Sequence, residues 1–232
     1  ASSTITFQGT KIYTVANNLN LVGGDGTELY VRSHDNVATA IISNTPGNTQ
    51  TVDYVRVEEV DGTAANHITA TNSWDVTGSL SFWDFGAMLY TFETTGNWDT
   101  AGNWEQGILP AATDNVLVSG GVTLTLNGTR TINDVQIAAT GEITVATDVF
   151  TVNGDCDIDG DITVTSGTVD VDGVFDATGG NVTFTGAGEL IVDSTVTSLG
   201  TLSTANGTVT YNGATSQTIV LDDYYNLKAS DA

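Results

Sequence analysis

Apolar and polar residues alternate in short runs along almost the whole chain. Runs such as "VTLTL", "EITV", "DITV", "TVDV" and "NVTF" have a period of two, which predicts strands with one buried and one exposed face. Glycine, asparagine and aspartate separate these runs, in stretches such as "SGG", "LNG", "TGG" and "YNG". Because no segment keeps the 3.6-residue period of an amphipathic helix, the chain is predicted to be all-β with essentially no α-helix.

Internal repeats indicate how these strands are arranged. The segment "GTVDVDG" at residues 167–173 returns as "GTVTYNG" at residues 207–213. A longer stretch that begins at Gly180 aligns with one that begins at Gly207, 27 residues later. Repeats of this kind are typical of stacked coils, in which no single coil buries its own apolar face. The predicted fold is a parallel β-helix, or β-solenoid, with about 20 to 25 residues per coil.

The alternation also predicts which side chains fill the interior of the coils. Val169 and Val171 are expected to point inward, while Asp170 and Asp172 point outward. The same rule places six more side chains inside: Phe150, Val152, Cys156, Ile158, Ile162 and Val164.

Charge limits the partners of this 232-residue chain. It has 28 Asp and Glu against five Lys and Arg, a net charge of -23, so few cations are available to contact phosphates. We therefore expect no nucleic-acid partner and no membrane insertion, and no apolar stretch is long enough to span a bilayer. A hydrophobic content of 40% is nevertheless sufficient for a folded core. One cysteine and two histidines argue against a disulfide framework and a structural zinc site.

The stretch "GNWDTAGNWEQG", residues 96–107, contains two of the four tryptophans, Trp98 and Trp104. Exposed indoles would stack on sugar rings, whereas buried ones would plug the junction between a segment ending near Phe92 and one starting near Val116. The flanking turn residues favour the plug. The predicted domains are then residues 1–94, a β-helix module with a junction region, and residues 95–232, a β-helix module of stacked repeats.

The stretch "DCDIDGD", residues 155–161, is the sharpest chemical motif of the chain. It matches the start of a D-x-D-x-D-G calcium loop, in which carboxylates converge on a hard cation. The candidate metal ligands are Asp155, Asp157, Asp159 and Asp161. The twelfth position of the loop is Ser166 instead of a bidentate Glu, and the segment also alternates as a strand. A solvated acidic face that discourages lateral aggregation is therefore the favoured interpretation.

Calcium is therefore the one candidate cofactor, and the predicted function does not require a cofactor. Neighbouring coils would add carboxylates to this row and form a weak ladder for divalent ions. The aspartates that would do so are Asp170, Asp172 or Asp176.

No enzymatic activity is predicted. A lyase that removes a proton next to a uronate needs a base and cations, and the five basic residues are scattered along the sequence. A glycosidase needs two carboxylates at a defined separation, and no pair stands out among the acidic residues.

Several segments resemble repetitive β-helix modules of large secreted bacterial surface proteins, particularly adhesin-like proteins of Bacteroidota. "STITFQGTKIYTVANNLNLVGGDGTELYVRS" resembles the opening of such a module, and "TVDYVRVEEVDGTAANHITATNSWDVTGS" resembles the segment that follows. "TGNWDTAGNWEQGILPAATDNVLV" resembles the start of a further module, and "GTVTYNGATSQTIVLDDYYNLKAS" resembles its recurring coil. The resemblance implies a secreted, extracellular structural or adhesive protein and supplies no catalytic residues.

The two ends of the sequence favour assembly. "STITFQG" begins at once as a strand, and "TIVLDDYYNLKAS" ends in mid-pattern, so strand edges are expected at both ends. We therefore expect a building block of a surface fibre or adhesin stalk. It would join head to tail with copies of itself or with further modules of the same chain. The alternative is a carbohydrate-binding module that uses the tryptophans, with glycans as partners, and a polysaccharide-active enzyme is less favoured.

Overall fold

The computed structural model describes residues 2–24, 27–34, 38–76, 80–203 and 205–230. They form an all-β solenoid of stacked parallel sheets, and the only helix among them is a single 3₁₀ turn, Ala101–Asn103. The chain divides into two compact units, Ala1–Met88 and Leu89–Ala232, called unit 1 and unit 2. The sequence prediction puts the boundary slightly later, between residues 94 and 95.

The described residues of unit 1 form eleven strands in parallel sheets. The four-stranded sheet consists of β1 (Thr4–Phe7), β4 (Leu29–Ser33), β7 (Val55–Glu58) and β10 (Trp74–Asp75). The three-stranded sheet consists of β2 (Ile12–Val15), β5 (Ala40–Asn44) and β8 (Val60–Asp61). Two further pairs are β3 (Leu19–Val22) with β6 (Gln50–Asp53), and β9 (Ile68–Ala70) with β11 (Trp83–Phe85).

In the described part of unit 2 the strands form three faces, each a six-stranded parallel sheet. The first face consists of β12 (Leu89–Phe92), β14 (Asn115–Val118), β17 (Val135–Ile137), β20 (Cys156–Ile158), β23 (Phe175–Asp176) and β26 (Val196–Ser198). The second consists of β13 (Gly96–Asn97), β15 (Thr123–Thr125), β18 (Glu142–Val145), β21 (Asp161–Val164), β24 (Asn181–Phe184) and β27 (Thr201–Leu202). The third consists of β16 (Arg130–Ile132), β19 (Val149–Val152), β22 (Thr168–Val171), β25 (Glu189–Val192), β28 (Thr208–Tyr211) and β29 (Leu227–Ala229).

The coils of unit 2 are regular after the first one. Leu124 lies opposite Ile143 and Ile143 opposite Ile162, 19 residues further each time, and Ile162 lies opposite Val182 after 20 residues. The coils are therefore slightly shorter than the sequence suggests. In unit 1 the step is much less uniform, since Ile12 lies opposite Ile41 after 29 residues.

One of the two repeat alignments is wrong. Strand β24, which follows Gly180, belongs to the second face, whereas β28, which follows Gly207, belongs to the third. The 27-residue alignment therefore matches strands on different faces, because both share the same alternation. The recurrence of "GTVDVDG" as "GTVTYNG" is a true one, since β22 and β28 are separated on the third face by β25 alone.

The predicted interior of unit 2 is confirmed. Val169 and Val171 are fully buried, while Asp170 is half-buried and Asp172 exposed on the outer surface. All six further side chains predicted to point inward are buried: Phe150, Val152, Cys156, Ile158, Ile162 and Val164. Side chains at equivalent positions stack from coil to coil, which fills the interior with aliphatic and aromatic groups and the thiol of Cys156.

A column of glycines allows the coils to approach closely between the first and second faces. The backbone N–H of Asn181 donates to the carbonyl of Gly160, and that of Thr201 donates to the carbonyl of Gly180. A Cβ atom on Gly180 would lie 2.5 Å from the Gly160 carbonyl oxygen and 2.3 Å from that of Ile158. No larger residue fits this corner without displacing the backbone of the preceding coil.

Candidate functional site

An aromatic cluster fills the first coil of unit 2. The ring centres of Trp98 and Trp104 lie 4.9 Å apart in an edge-to-face arrangement, and Phe92 lies 5.0 Å from Trp104. The Trp104 indole N–H donates a 2.8 Å hydrogen bond to the Trp98 carbonyl. Phe150 contacts Trp98 with a centre separation of 6.1 Å, so the cluster continues into the aliphatic interior.

Local structure explains why both indoles point inward. The 3₁₀ turn Ala101–Asn103 reverses the chain, so that Trp104 forms an antiparallel bridge with Phe92. The Asn103 side-chain amide donates to the Asn97 carbonyl and fixes this reversal. The exposed fractions of Trp98 and Trp104 are only 2% and 3%, so neither indole face is open to a sugar ring. Their position supports the plug interpretation.

The four aspartates of the "DCDIDGD" stretch do not form one cluster. Asp157 lies on β20 of the first face, whereas Asp161 begins β21 of the second face. None of the four belongs to a group of three described carboxylates whose oxygens all lie within 4.8 Å of one another. Asp155 instead accepts a 2.8 Å hydrogen bond from the Val174 backbone N–H, and Asp161 accepts one from the Asn181 amide.

A neighbouring coil does extend this acidic row. Asp157 lies directly opposite Asp176 on the next coil and accepts a 3.2 Å hydrogen bond from Gln136 on the previous one. Partial burial raises the pKa of Asp157, and Asp159 and Asp176 raise it further, while the Gln136 amide acts in the opposite direction. Asp157 and Asp176 therefore stack on an outer face, as the sequence suggests.

Within the described ranges, one group of three carboxylates is close enough to share an ion, and it lies on the third face. Asp170, Asp172 and Asp193 each place an oxygen within 4.8 Å of the other two. Asp172 and Asp193 occupy equivalent positions of successive coils, because their backbone N–H groups donate to Val152 and Val171, respectively. Oxygen ligands of this kind would suit calcium or magnesium.

The three carboxylates of this group repel one another when they are ionised. Burial raises the pKa of the Asp170 carboxyl, and Asp193, Asp172 and Glu189 raise it further. Asn212, in the next coil, donates a 3.2 Å hydrogen bond to Asp193 and occupies one of its oxygens. The sequence prediction named Asp170 and Asp172 but missed Asp193. The available signal was the 21-residue interval from Asp172 to Asp193, which equals the β22 to β25 step.

The last coil of unit 2 presents an exposed strand edge. Among the described residues, β29 pairs with β28 on one side only. Leu227 lies opposite the buried Val209 and therefore at an inward position, yet it is 43% exposed. The preceding loop is tied down by Gln217, whose amide donates to the carbonyls of Val192 and Ser194.

Apolar side chains surround this edge. Ile219 and Tyr225 are exposed, and Leu221 is 99% exposed. Lys228 on β29 forms a 3.1 Å ion pair with Glu189 on β25, which helps to hold β29 in place. The last coil thus carries several exposed apolar side chains beside its charged residues.

The first coil of unit 1 also presents strand edges. Strand β1 pairs with β4 alone within the described part of the chain. Ile5 lies opposite the buried Val31 and so at an inward position, but it is 38% exposed. Phe7 is only partly buried, and its ring packs edge-to-face on Tyr13 at 4.8 Å.

Comparison with protein-family models, curated proteins and solved structures returned no match. The described residues include no helix of the length and apolarity needed to cross a membrane.

Proposed function

We propose that the protein is a structural building block of an extracellular surface fibre or adhesin stalk, joined end to end through the strand edges of its outermost coils. The observation that carries this proposal is the uninterrupted pairing of six strands on each of the three faces of unit 2. Such stacking makes every coil depend on its neighbours, so tension is shared among many parallel backbone hydrogen bonds.

The coil-to-coil contacts are uniform through the middle of unit 2. The backbone N–H of Thr165 donates to the Val145 carbonyl at 2.9 Å, and that of Thr185 donates to Val164 at 3.0 Å. Between these hydrogen bonds, the aliphatic interior excludes water. A rod section that resists local opening needs both features, because a single weak coil would be the first to separate.

The acidic outer faces fit a protein that works in a crowded surface layer. Asp157 and Asp176 stack on the first face, and Asp170 and Asp172 project from the third. Like charges along the faces oppose lateral association of copies, so end-to-end contacts between strand edges are favoured.

The alternatives receive less support. Glycan binding through the tryptophans would require a sugar to reach indoles that are buried in the interior. We continue to expect no enzymatic activity, and secretion and calcium binding remain parts of the proposal.

Immunolabelling of intact cells of the source organism tests the proposed role. Antibodies raised against the folded chain should label surface fibres without permeabilisation, and electron microscopy should show the label along the fibres. A chelator-treated sample tests whether divalent ions hold the fibres together. Labelling that requires permeabilised cells would contradict the extracellular role.

A further inference from the structure

We propose that a groove on unit 1, between β6 and β9, binds a neutral sugar. One sheet of unit 1 is broken at this point. Strand β3 pairs with β6, and β9 pairs with β11, but among the described residues a single bridge, Asp53 opposite Thr71, joins β6 to β9. The break coincides with an open groove of about 470 Å³ on the outer surface. This site is independent of the way in which copies of the chain would join.

The side chain of Gln50 lies between the two strands at the break. Its amide N–H donates a 2.9 Å hydrogen bond to the His67 carbonyl, and its side-chain oxygen accepts a 3.0 Å hydrogen bond from the Thr69 backbone N–H. Gln50 therefore takes the place that backbone groups of β6 would have in a regular parallel ladder. Because these backbone groups of β9 are already paired, an inserted peptide strand would find no partners there, and an occupant of the groove would contact side chains.

The walls of the groove present oxygen and amide groups. The polar side chains that line it are Asn48, Gln50, Thr51, Asp53, Thr69 and Thr71. The hydroxyls of Thr51 and Thr69 are exposed and have no hydrogen-bond partner among the described residues. No described basic residue lines the groove, so an anionic ligand would meet no compensating charge in a chain of net charge -23. The hydroxyls of a neutral sugar both donate and accept, which matches such a lining.

Asp53 is held in place to receive sugar hydroxyls. The Thr71 hydroxyl and the Asn72 amide donate hydrogen bonds of 2.9 Å and 3.0 Å to the same carboxylate oxygen, Oδ1. The other oxygen, Oδ2, has no partner among the described residues. A hydroxyl that donates to a carboxylate forms a charge-assisted hydrogen bond, about twice as strong as a neutral one. Because the carboxylate is already fixed, little side-chain entropy would be lost on binding.

An exposed aromatic ring lies beside this groove. Phe82 is 41% exposed, and its ring centre lies 5.7 Å from that of His67, the residue whose carbonyl binds Gln50. The backbone of Phe82 has a φ of 63°, a left-handed conformation that bulky residues rarely adopt, and its carbonyl accepts a 3.0 Å hydrogen bond from Ile68. Backbone strain of this kind concentrates at functional sites. The apolar face of a sugar ring would cover Phe82 while its hydroxyls contact the polar walls.

Isothermal titration calorimetry of the whole chain tests the proposal. The probes are neutral trisaccharides of glucose, mannose, galactose and N-acetylglucosamine, with trigalacturonate as the anionic comparison. We expect at least one neutral trisaccharide to bind with a Kd of about 1 mM or tighter, and trigalacturonate to bind at least about tenfold more weakly. No binding of any neutral probe, or equally strong binding of trigalacturonate, would overturn the proposal.

Asp53→Asn tests the assignment to the groove. Asparagine keeps one oxygen for Thr71 and Asn72 but replaces the free oxygen with an amide, so the affinity for the sugar should fall by about tenfold or more. Asp159→Asn makes the same change at an exposed carboxylate of unit 2 and should leave the affinity unchanged. Circular dichroism checks that both variants are folded. Equal effects of the two variants would contradict the assignment.

Phe82→Ala tests the contact with the aromatic ring. Loss of the ring should weaken binding by about threefold to tenfold. Tyr225→Ala removes an exposed ring of unit 2 and is the matched control. An affinity that is unchanged in Phe82→Ala would remove this ring from the site.

Hydrogen exchange of the native chain locates the sugar without any substitution. The bound trisaccharide should slow amide exchange in residues 48–53 and 67–71, which line the groove, and leave residues 161–171 of unit 2 unchanged. Protection confined to segments outside the groove would overturn the proposed site even if a variant failed to fold.

Discussion

The first coils of the two units differ although both begin with short strands. In unit 1, inward residues such as Ile5 remain partly exposed, and Phe7 packs mainly on Tyr13. In unit 2, Phe92 is fully buried because residues 96–107 fold back over it and insert two indoles. An inserted aromatic segment therefore covers the inward residues of one coil, while those of the other stay partly exposed among the described residues.

Substitution of the two phenylalanines should give the largest difference between these coils. Phe92→Ala removes a ring that is enclosed on all sides, so we expect the free energy of unfolding of unit 2 to fall by about 3 to 5 kcal/mol. Phe7→Ala removes a partly exposed ring and should cost about 1 kcal/mol or less. Chemical denaturation followed by circular dichroism measures both. Similar losses would show that the first coil of unit 1 is also closed.

The glycine column should respond next most strongly. Gly180→Ala places a methyl group against backbone carbonyls of the preceding coil, and the required shift should destabilise unit 2 by about 1 to 3 kcal/mol. Gly102→Ala, in the inserted segment, meets open space and is the control. Thermal unfolding should show a lower melting temperature for the first variant only. A stable Gly180→Ala protein would mean that the coils are not held at this corner.

A smaller effect is expected from the hydrogen bond within the aromatic cluster. Trp104→Phe keeps a ring in place but removes the N–H donor to the Trp98 carbonyl, so the loss should be about 1 to 2 kcal/mol. Near-ultraviolet circular dichroism should report looser packing of Trp98. Added glycans should affect both proteins equally, and a glycan that stabilises the native chain but not the variant would revive the sugar-binding interpretation of the tryptophans.

The acidic group on the third face should have the smallest effect. The folded-state pKa of Asp170 is raised above 3.8, so the folded state disfavours its ionised form. The contribution of Asp170 to stability is therefore fully present below about pH 4 and is lost as the pH rises through its folded-state pKa. Asp170→Asn removes this loss and should stabilise the protein at pH 7 by less than about 1 kcal/mol, with little change at pH 3, because solvent screens the charges.

Asp84→Asn, at an exposed carboxylate of β11 outside the group, is the control for this measurement. Denaturation midpoints at the two pH values give the comparison, and a destabilised Asp170→Asn protein at pH 7 would contradict it. Calcium that raises the midpoint of the native chain but not of Asp170→Asn would assign an ion to these carboxylates.

The sequence was sufficient to predict the fold because one rule governs most of the chain. Alternation alone places Val169 and Val171 inside, and the structure agrees. It does not say which face a strand joins, since the strands after Gly180 and Gly207 share the same pattern. That assignment depends on the exact number of residues per coil, which varies from one turn to the next.

The candidate site was predicted less completely for the same reason. The contact between Asp170 and Asp193 depends on the 21-residue step from β22 to β25, so a motif search along the sequence could not find it. The flanking turn residues were enough to favour buried indoles, but they did not reveal the Asn103 hydrogen bond and the bridge to Phe92 that turn Trp104 inward.

The regular coil step at the glycine column also determines how the length of unit 2 can be changed. Val182 occupies the place of Ile162 one coil later, so deletion of residues 162–181 would join Asp161 to Val182 and preserve the pattern on every face. Unit 2 would become shorter by one strand spacing, about 4.8 Å, with both of its end coils unaltered. Duplication of the same segment would lengthen it equally. The length of unit 2 can thus change by whole coils without any change in its remaining residues.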